Sequence, residues 1–173
     1  MNFDEIMSRF FSEMNKVDKL DSNTKISMAR RYKGKITNAT ISLYFGITPD
    51  AIVKQKTKGI VPFKKIVTAC IENDLDINYI FCGDKEYLEC NYLPEQESKK
   101  EVDKCLDRLI ANMITGKIIE EAPTNNQEKS NLIGNTYRSL ITHRSRGTVP
   151  YKDLVVTAME YNLDMNYIFK GNE

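Results

Sequence analysis

Residues 46–83 and 134–171 align without a gap over 38 positions with 15 identities: Gly46, Thr48, Gly59, Val61, Pro62, Lys64, Val67, Glu72, Leu75, Asp76, Asn78, Tyr79, Ile80, Phe81 and Gly83, each recurring 88 residues later. Typical residue frequencies would give roughly two. The chain is a tandem duplication, and a fold must be found that serves both copies. Across 173 residues this gives two units of about 80 residues each, close to the lower size for a self-sufficient core, which favours packing between the copies. The boundaries read from the sequence are 1–93 for the first domain, 94–100 for a linker centred on Pro94-Glu95-Gln96-Glu97-Ser98, and 101–173 for the second. Tyr87, Leu88, Tyr92 and Leu93 are too apolar for a free linker and are expected to dock on a copy or form an interface.

The repeated stretch begins with a glycine turn at Gly46, then a helix with Thr48 as N-cap and Pro49 in its first turn, stopped at Gly59 with Pro62 beyond. Ile47 and Ile52 point one way, while Asp50, Lys54, Thr57 and Lys58 are free to point another. A short basic helix of this kind is no core element; it is what the second helix of a helix-turn-helix looks like. Asn38 to Phe45 supplies the preceding helix, with Ile41 and Phe45 apolar and the small Ser42 where two helices cross. Pro62 opens a further helix whose inward face is Phe63, Ile66, Val67, Cys70 and Ile71, matched by Tyr151, Leu154, Val155, Ala158 and Met159. Asp76 caps a short helix ending at Gly83, where Tyr79 and Phe81 read as core. At the N-terminus, Phe3, Ile6, Met7, Phe10, Phe11, Met14 and Val17 form one apolar stripe, and Val102, Cys105, Leu106, Leu109, Ile110 and Met113 form its counterpart. Asp4 and Arg9 are matched by Asp103 and Arg108 at an offset of 99, so the first copy carries eleven extra residues between its first helix and its helix-turn-helix. The fold expected is all-α, about five helices in each copy.

Each copy resembles the helix-turn-helix domain of phage CI-type repressors. The resemblance rests on Gly59-Ile60-Val61-Pro62-Phe63 followed by Asp76-Ile77-Asn78-Tyr79-Ile80-Phe81-Cys82-Gly83, and on Gly147-Thr148-Val149-Pro150-Tyr151 followed by Asp164-Met165-Asn166-Tyr167-Ile168-Phe169-Lys170-Gly171. It implies two tandem lambda-repressor-like domains, sequence-specific binding of double-stranded DNA, and transcriptional control in a phage or bacterial setting. Such repressors commonly carry a C-terminal oligomerisation or self-cleavage domain, and none follows before Glu173. By helix geometry and family position, the residues reaching base edges are Thr48, Asp50, Val53, Lys54 and Thr57 in the first copy, and Thr136, Tyr137, Arg138, Thr142 and Ser145 in the second. Arg138 suits guanine, with Lys54 second; Asp50 either accepts from a cytosine amino group or serves the helix dipole. Lys58 and Arg146 lie at helix ends where phosphates are held, and His143 is read as a surface or phosphate-facing residue. The second copy departs from the pattern at Lys129, which stands where Ile41 stands, and at Asn135, which replaces Ile47.

The overall net charge of +1 hides a division along the chain. Residues 25–65 sum to +9, with Asp50 their one acid, and residues 129–152 to +5 with none. Clustering of one sign is the footprint of a polyanion-binding face. Within the first cluster, Arg30, Arg31, Lys33 and Lys35, with Tyr32 and Gly34 between them, read either as an arm reaching phosphates or a minor groove, or as a solvated basic loop or helix.

Cys70, Cys82, Cys90 and Cys105 include no Cys-x-x-Cys pair and share the chain with one histidine, so reduced structural thiols are expected and no metal or cofactor. There is no long apolar run and no leader pattern, so the expected location is cytoplasmic, without a membrane partner. Neither a nucleophile elbow nor a phosphate-cradling glycine loop is present, and an enzyme is not expected. Two functions of different class remain: a repressor-like DNA-binding regulator using both copies, or a repressor-derived module binding an antirepressor or co-regulator protein without reading DNA. Pairing of chains into a homodimer stays open in either case.

Overall fold

The computed structural model describes residues 2–17, 36–88 and 99–171. Among them it holds ten helices and no strand, only an isolated bridge between Leu88 and Leu163. The chain divides into two compact units, Met1–Gly83 and Asp84–Glu173. The first contains α1 (Phe3–Met14), α2 (Asn38–Phe45), α3 (Pro49–Lys58), α4 (Phe63–Glu72) and α5 (Ile77–Cys82). The second contains α6 (Glu101–Thr115), α7 (Asn126–Leu132), α8 (Tyr137–Arg146), α9 (Tyr151–Tyr161) and α10 (Met165–Lys170).

Each N-terminal helix is the core's main apolar contributor. On α1, Phe3, Ile6, Met7, Phe10, Phe11 and Met14 are all buried, and the helix stops at Asn15, leaving Val17 beyond it. On α6 the whole expected stripe from Val102 to Met113 is buried. Complete burial of side chains of this size contributes about 1.5–3 kcal/mol each before entropy is counted. Phe11 meets Tyr44 and Phe45 edge to face, and Phe10 meets Tyr44 edge to face and Phe45 at a tilt, so α1 is keyed to α2 by aromatic packing. Burial there pushes the Tyr44 hydroxyl up to about 12.

The closing helices are short and are held from outside. Asp76 and Asp164 cap α5 and α10 by accepting from the backbone N–H of Tyr79 and Tyr167. At the other end, Arg9 Nη1 donates to the carbonyls of Ile80 and Phe81 at 3.4 and 3.3 Å, and Arg108 Nη1 donates to Ile168 O at 3.2 Å. A cation over the last carbonyls satisfies acceptors that a six-residue helix leaves free, and it complements the helix dipole.

Periodicity placed Ile71 and Met159 on the inward faces of α4 and α9. Ile71 is instead 42% exposed and Met159 only half-buried, while Ala69 and Thr157 are buried. Positions two apart on a helix flank the same stripe on opposite edges, and here the core covers the edge bearing 69 and 157.

The division falls at Gly83, ahead of the boundary drawn from the sequence at residue 93, because the strand-like segment after Gly83 lies on the second unit. Leu88 N–H donates to Asn162 O at 2.8 Å, and its side chain sits so close to Gly116 that a Cβ there would lie 2.5 Å from it. Likewise Lys100, assigned to the linker by sequence, is the N-cap residue of α6, and Lys99 Nζ reaches Asp107 at 2.8 Å.

Candidate nucleic-acid interface

In both units the same local chemistry builds a helix, a left-handed glycine and a second helix. Gly46 closes α2 with φ 61°, and the N–H of Ile47 returns to Ser42 O at 3.1 Å. In the second unit Gly134 has φ 61°, and the N–H of Asn135 returns to Ser130 O at 2.8 Å. A Cβ at either glycine would meet nothing within 4 Å, so the backbone conformation alone calls for glycine. Thr48 and Thr136 cap the next helices by accepting from Ala51 N–H at 3.3 Å and Ser139 N–H at 3.2 Å. Gly59 and Gly147, at φ 62° and 63°, end them.

The helices so bounded are barely anchored in the core. Ile52 is the one buried residue of α3, and Leu140 the one buried residue of α8. Around α3, Asp50, Val53, Lys54, Thr57 and Lys58 are exposed, as expected from sequence. Around α8, Tyr137, Arg138, Ser145 and Arg146 are exposed, and Thr142 and His143 are half-buried. Several hydroxyls already have assignments: Thr57 donates to Val53 O at 3.0 Å, Thr142 to Arg138 O at 2.8 Å and Ser145 to Thr142 O at 3.0 Å. With their protons directed into the helix, these three can offer a ligand acceptor lone pairs, and the two threonines a methyl contact, but not a donor. Thr48 and Thr136 are the reverse, their oxygens engaged in caps and their protons free to donate. Strong donors on the outer faces are therefore lysine and arginine.

The cations fall into two groups. Lys56 Nζ lies 2.6 Å from Asp4, and Arg144 Nε lies 2.6 Å from Asp103. The Arg144 Nε–H is not aimed at that oxygen, so the contact is ionic rather than a hydrogen bond. Arg144 also donates to Asn126, and its carbonyl accepts from Lys100 Nζ at 3.0 Å. Lys65 Nζ donates to the Phe45 carbonyl and Lys129 Nζ lies 3.5 Å from Asp107. These are structural cations. Lys54, Lys58 and Lys64 in the first unit, and Arg138, Arg146 and Lys152 in the second, have no carboxylate partner among the described residues. Arg30, Arg31, Lys33 and Lys35 lie outside the described residues. Within 46–65 and the equivalent 134–153, each copy thus has three cations that no described group engages, despite the larger charge sum of the first copy.

Sequence reasoning missed the pairing of Lys56 and Arg144 with the first helices. A signal was present, since an acid recurs at 4 and 103 and a base at 56 and 144, but the two offsets differ and no local pattern links them.

Departures of the second copy are matched by partners. Lys129, in place of Ile41, faces the Asp107 carboxylate of α6, which also holds Lys99. Asn135, in place of Ile47, donates to Asp153 Oδ2 at 2.6 Å, and its own Oδ1 accepts from Thr136 N–H at 2.7 Å. Burial raises the Asp153 carboxyl above its ordinary value, opposed by the nearby Lys152 and His143. Ahead of α7, Asn125 and Glu128 form a reciprocal cap: Glu128 N–H donates to Asn125 Oδ1 at 2.9 Å, while Glu128 Oε2 accepts from Thr124 N–H at 2.7 Å. The Thr124 N–H holds the exposed Glu128 carboxyl below its usual range.

Along α8 the exposed side chains border an open groove of about 390 Å³ lined by Thr136, Arg138, Ser139, Thr142, His143, Arg146 and Thr148. Within it His143 Nδ1 lies 2.9 Å from Thr148 Oγ1. Among the described residues no cluster of three or more His, Cys, Asp or Glu side chains is placed to hold a metal ion. Cys70 and Cys105 are buried and Cys82 is half-buried. No described helix is long and apolar enough to cross a membrane.

No family model, no curated protein and no solved structure matches this chain.

Proposed function

We propose that the protein is a sequence-specific, repressor-like transcriptional regulator that binds double-stranded DNA through two helix-turn-helix domains on one chain. Here α3 and α8 are the recognition helices, α2 and α7 their partners. The observation that carries this reading is that α3 and α8 each fully bury a single side chain and leave Lys54, Lys58, Arg138 and Arg146 exposed, with no carboxylate partner among the described residues. A helix held at both ends by glycine and threonine caps, with an exposed polar face, has the dimensions to enter a major groove.

The division of labour follows from the two groups of cations. Lys56 and Arg144 fix each recognition helix to the first helix of its unit, so the reading face is preorganised. Lys58, Arg146, Lys64 and Lys152 supply phosphate contacts at helix ends, which set register and carry most of the affinity. Asp50, Val53, Lys54, Thr57, Arg138, Thr142 and Ser145 meet base edges. Support for the second copy as a reader comes from the paired replacements at Lys129 and Asn135, which keep α7 and α8 in place.

Retention of the full chain on duplex DNA near 0.1 M salt, followed by enrichment of one sequence from a random library, tests the proposal. Absence of retention would favour the protein-binding module instead.

A further inference from the structure

Positions 50 and 138 are equivalent in the duplication, yet they carry opposite charge on the same turn of the same helix. Asp50 lies in the first turn of α3, where a carboxylate is favoured by the helix dipole. Arg138 lies in the first turn of α8, where a cation is opposed by it, and α8 has no acid in that turn to offset the cost. Arg138 is also exposed, borders the groove along α8 together with Arg146 and His143, and has no carboxylate partner among the described residues. An arginine held against the dipole and left unpaired contributes nothing to folding that alanine would not. Breaking a local rule with no structural compensation marks a residue kept for a ligand.

We infer that positions 50 and 138 are the base-discriminating pair of the two units, Arg138 taking guanine and Asp50 taking cytosine, so that one chain recognises a site with two unlike halves. The inference rests on the DNA-binding reading above. Arg138 presents a planar fork of donors that matches the O6 and N7 acceptors of guanine in the major groove. Asp50 is acceptor-only when ionised, and it matches the N4 amino donor of cytosine while repelling guanine's acceptor edge. The residues around them differ in the same sense: Lys54 corresponds to Thr142, replacing a strong donor with a hydroxyl whose proton is already given to Arg138 O. Two copies with the same turn and caps but opposite reading chemistry cannot share one half-site. A pair of identical chains using one unit each would instead require a palindrome.

The test is selection of bound duplexes from a random library by the full chain, repeated with Arg138→Ala, Asp50→Asn and Asp50→Arg. Wild type is expected to enrich a non-palindromic site. Arg138→Ala should lower the preference for guanine in one half by about tenfold and leave the other half unchanged. Asp50→Asn should move the preferred base in the other half from cytosine towards adenine, and Asp50→Arg should move it to guanine, making the halves more alike. Because both side chains are exposed and unpaired, the variants should fold, and unchanged helical circular dichroism checks this. A palindromic wild-type site, or a site unaltered by Arg138→Ala, overturns the inference while leaving DNA binding intact. No enrichment of any sequence overturns the DNA-binding reading and this inference with it.

Discussion

Arg144 on α8 stands 2.6 Å from Asp103 on α6, and both side chains are about three-quarters shielded from solvent, at 21% and 25% exposure. The equivalent pair of Lys56 and Asp4 has the same separation but is more open, at 32% and 66%. One bond therefore recurs in both copies and ties a lightly anchored outer helix to the most deeply buried one. Since the shielded pair is less screened by water, removing one partner strands a charge there at higher cost. We predict that Asp103→Ala lowers the stability of the second unit by about 2 kcal/mol, whereas Asp4→Ala costs the first at most about 0.5 kcal/mol. Denaturant titration of the full chain checks the ranking, and equal effects would mean that shielding does not govern these pairs.

Arg108 is 7% exposed and donates to Ile168 O, whereas Arg9 makes the corresponding contact from a side chain that is 28% exposed. Removing Arg108 takes its donor from the buried Ile168 carbonyl of α10, and Arg108→Ala should cost about 2–3 kcal/mol. Arg9→Ala should cost less, because water can reach the carbonyls of Ile80 and Phe81. Thermal unfolding of the two variants side by side measures the difference.

Asp153 gives a pH dependence with a definite sign. Its carboxyl is raised by burial above the ordinary 3.8, so the folded second unit holds this proton more tightly than the unfolded chain. The associated stability is fully present below the unfolded value and is lost as pH rises through the folded one. Asp153→Asn removes that loss and keeps an acceptor for Asn135 Nδ2, so it should be neutral or stabilising at pH 7. Melting curves across pH 3 to 7 should show a flatter profile for the variant, and an identical profile would contradict the assignment.

Much of the fold was legible because it is written locally. Thr48, Thr136, Asp76 and Asp164 cap the helices they were expected to cap, and Gly46, Gly59 and Gly147 end helices with positive φ. The apolar stripes of α1 and α6 needed no partner to be recognised, since their periodicity is complete within one helix. What joins distant residues was not legible. The Asn135–Asp153 hydrogen bond makes a replacement that looked like a departure from the pattern structurally sound, and Lys129 does the same through Asp107. The docking of Leu88 on Asn162 places the division between units at Gly83, and the polar composition around Pro94 does not tell where the chain leaves a core. On the outer faces, sequence located the exposed positions of α3 and α8, yet could not separate Lys56 and Arg144 from the free cations beside them.

Phosphate and base contacts should separate by mutation. Lys58→Ala and Arg146→Ala are each expected to weaken binding to all duplexes alike and to reduce the salt slope by about 1, without changing the selected sequence. Alanine at Arg30, Arg31, Lys33 and Lys35 together should act in the same way if that run is an arm on the DNA backbone. Fluorescence anisotropy at several salt concentrations, with a selected and a scrambled duplex, distinguishes this from base reading, and a change confined to one duplex would contradict it.

The most direct test of the account is the affinity of the full chain for its selected duplex as salt is raised. Neutralisation of about six phosphates, by Lys58, Lys64, Arg146 and Lys152 together with cations of the arm, predicts that log affinity falls with log salt at a slope of about −5. A slope indistinguishable from zero, or no binding at low salt, would contradict a DNA-binding role.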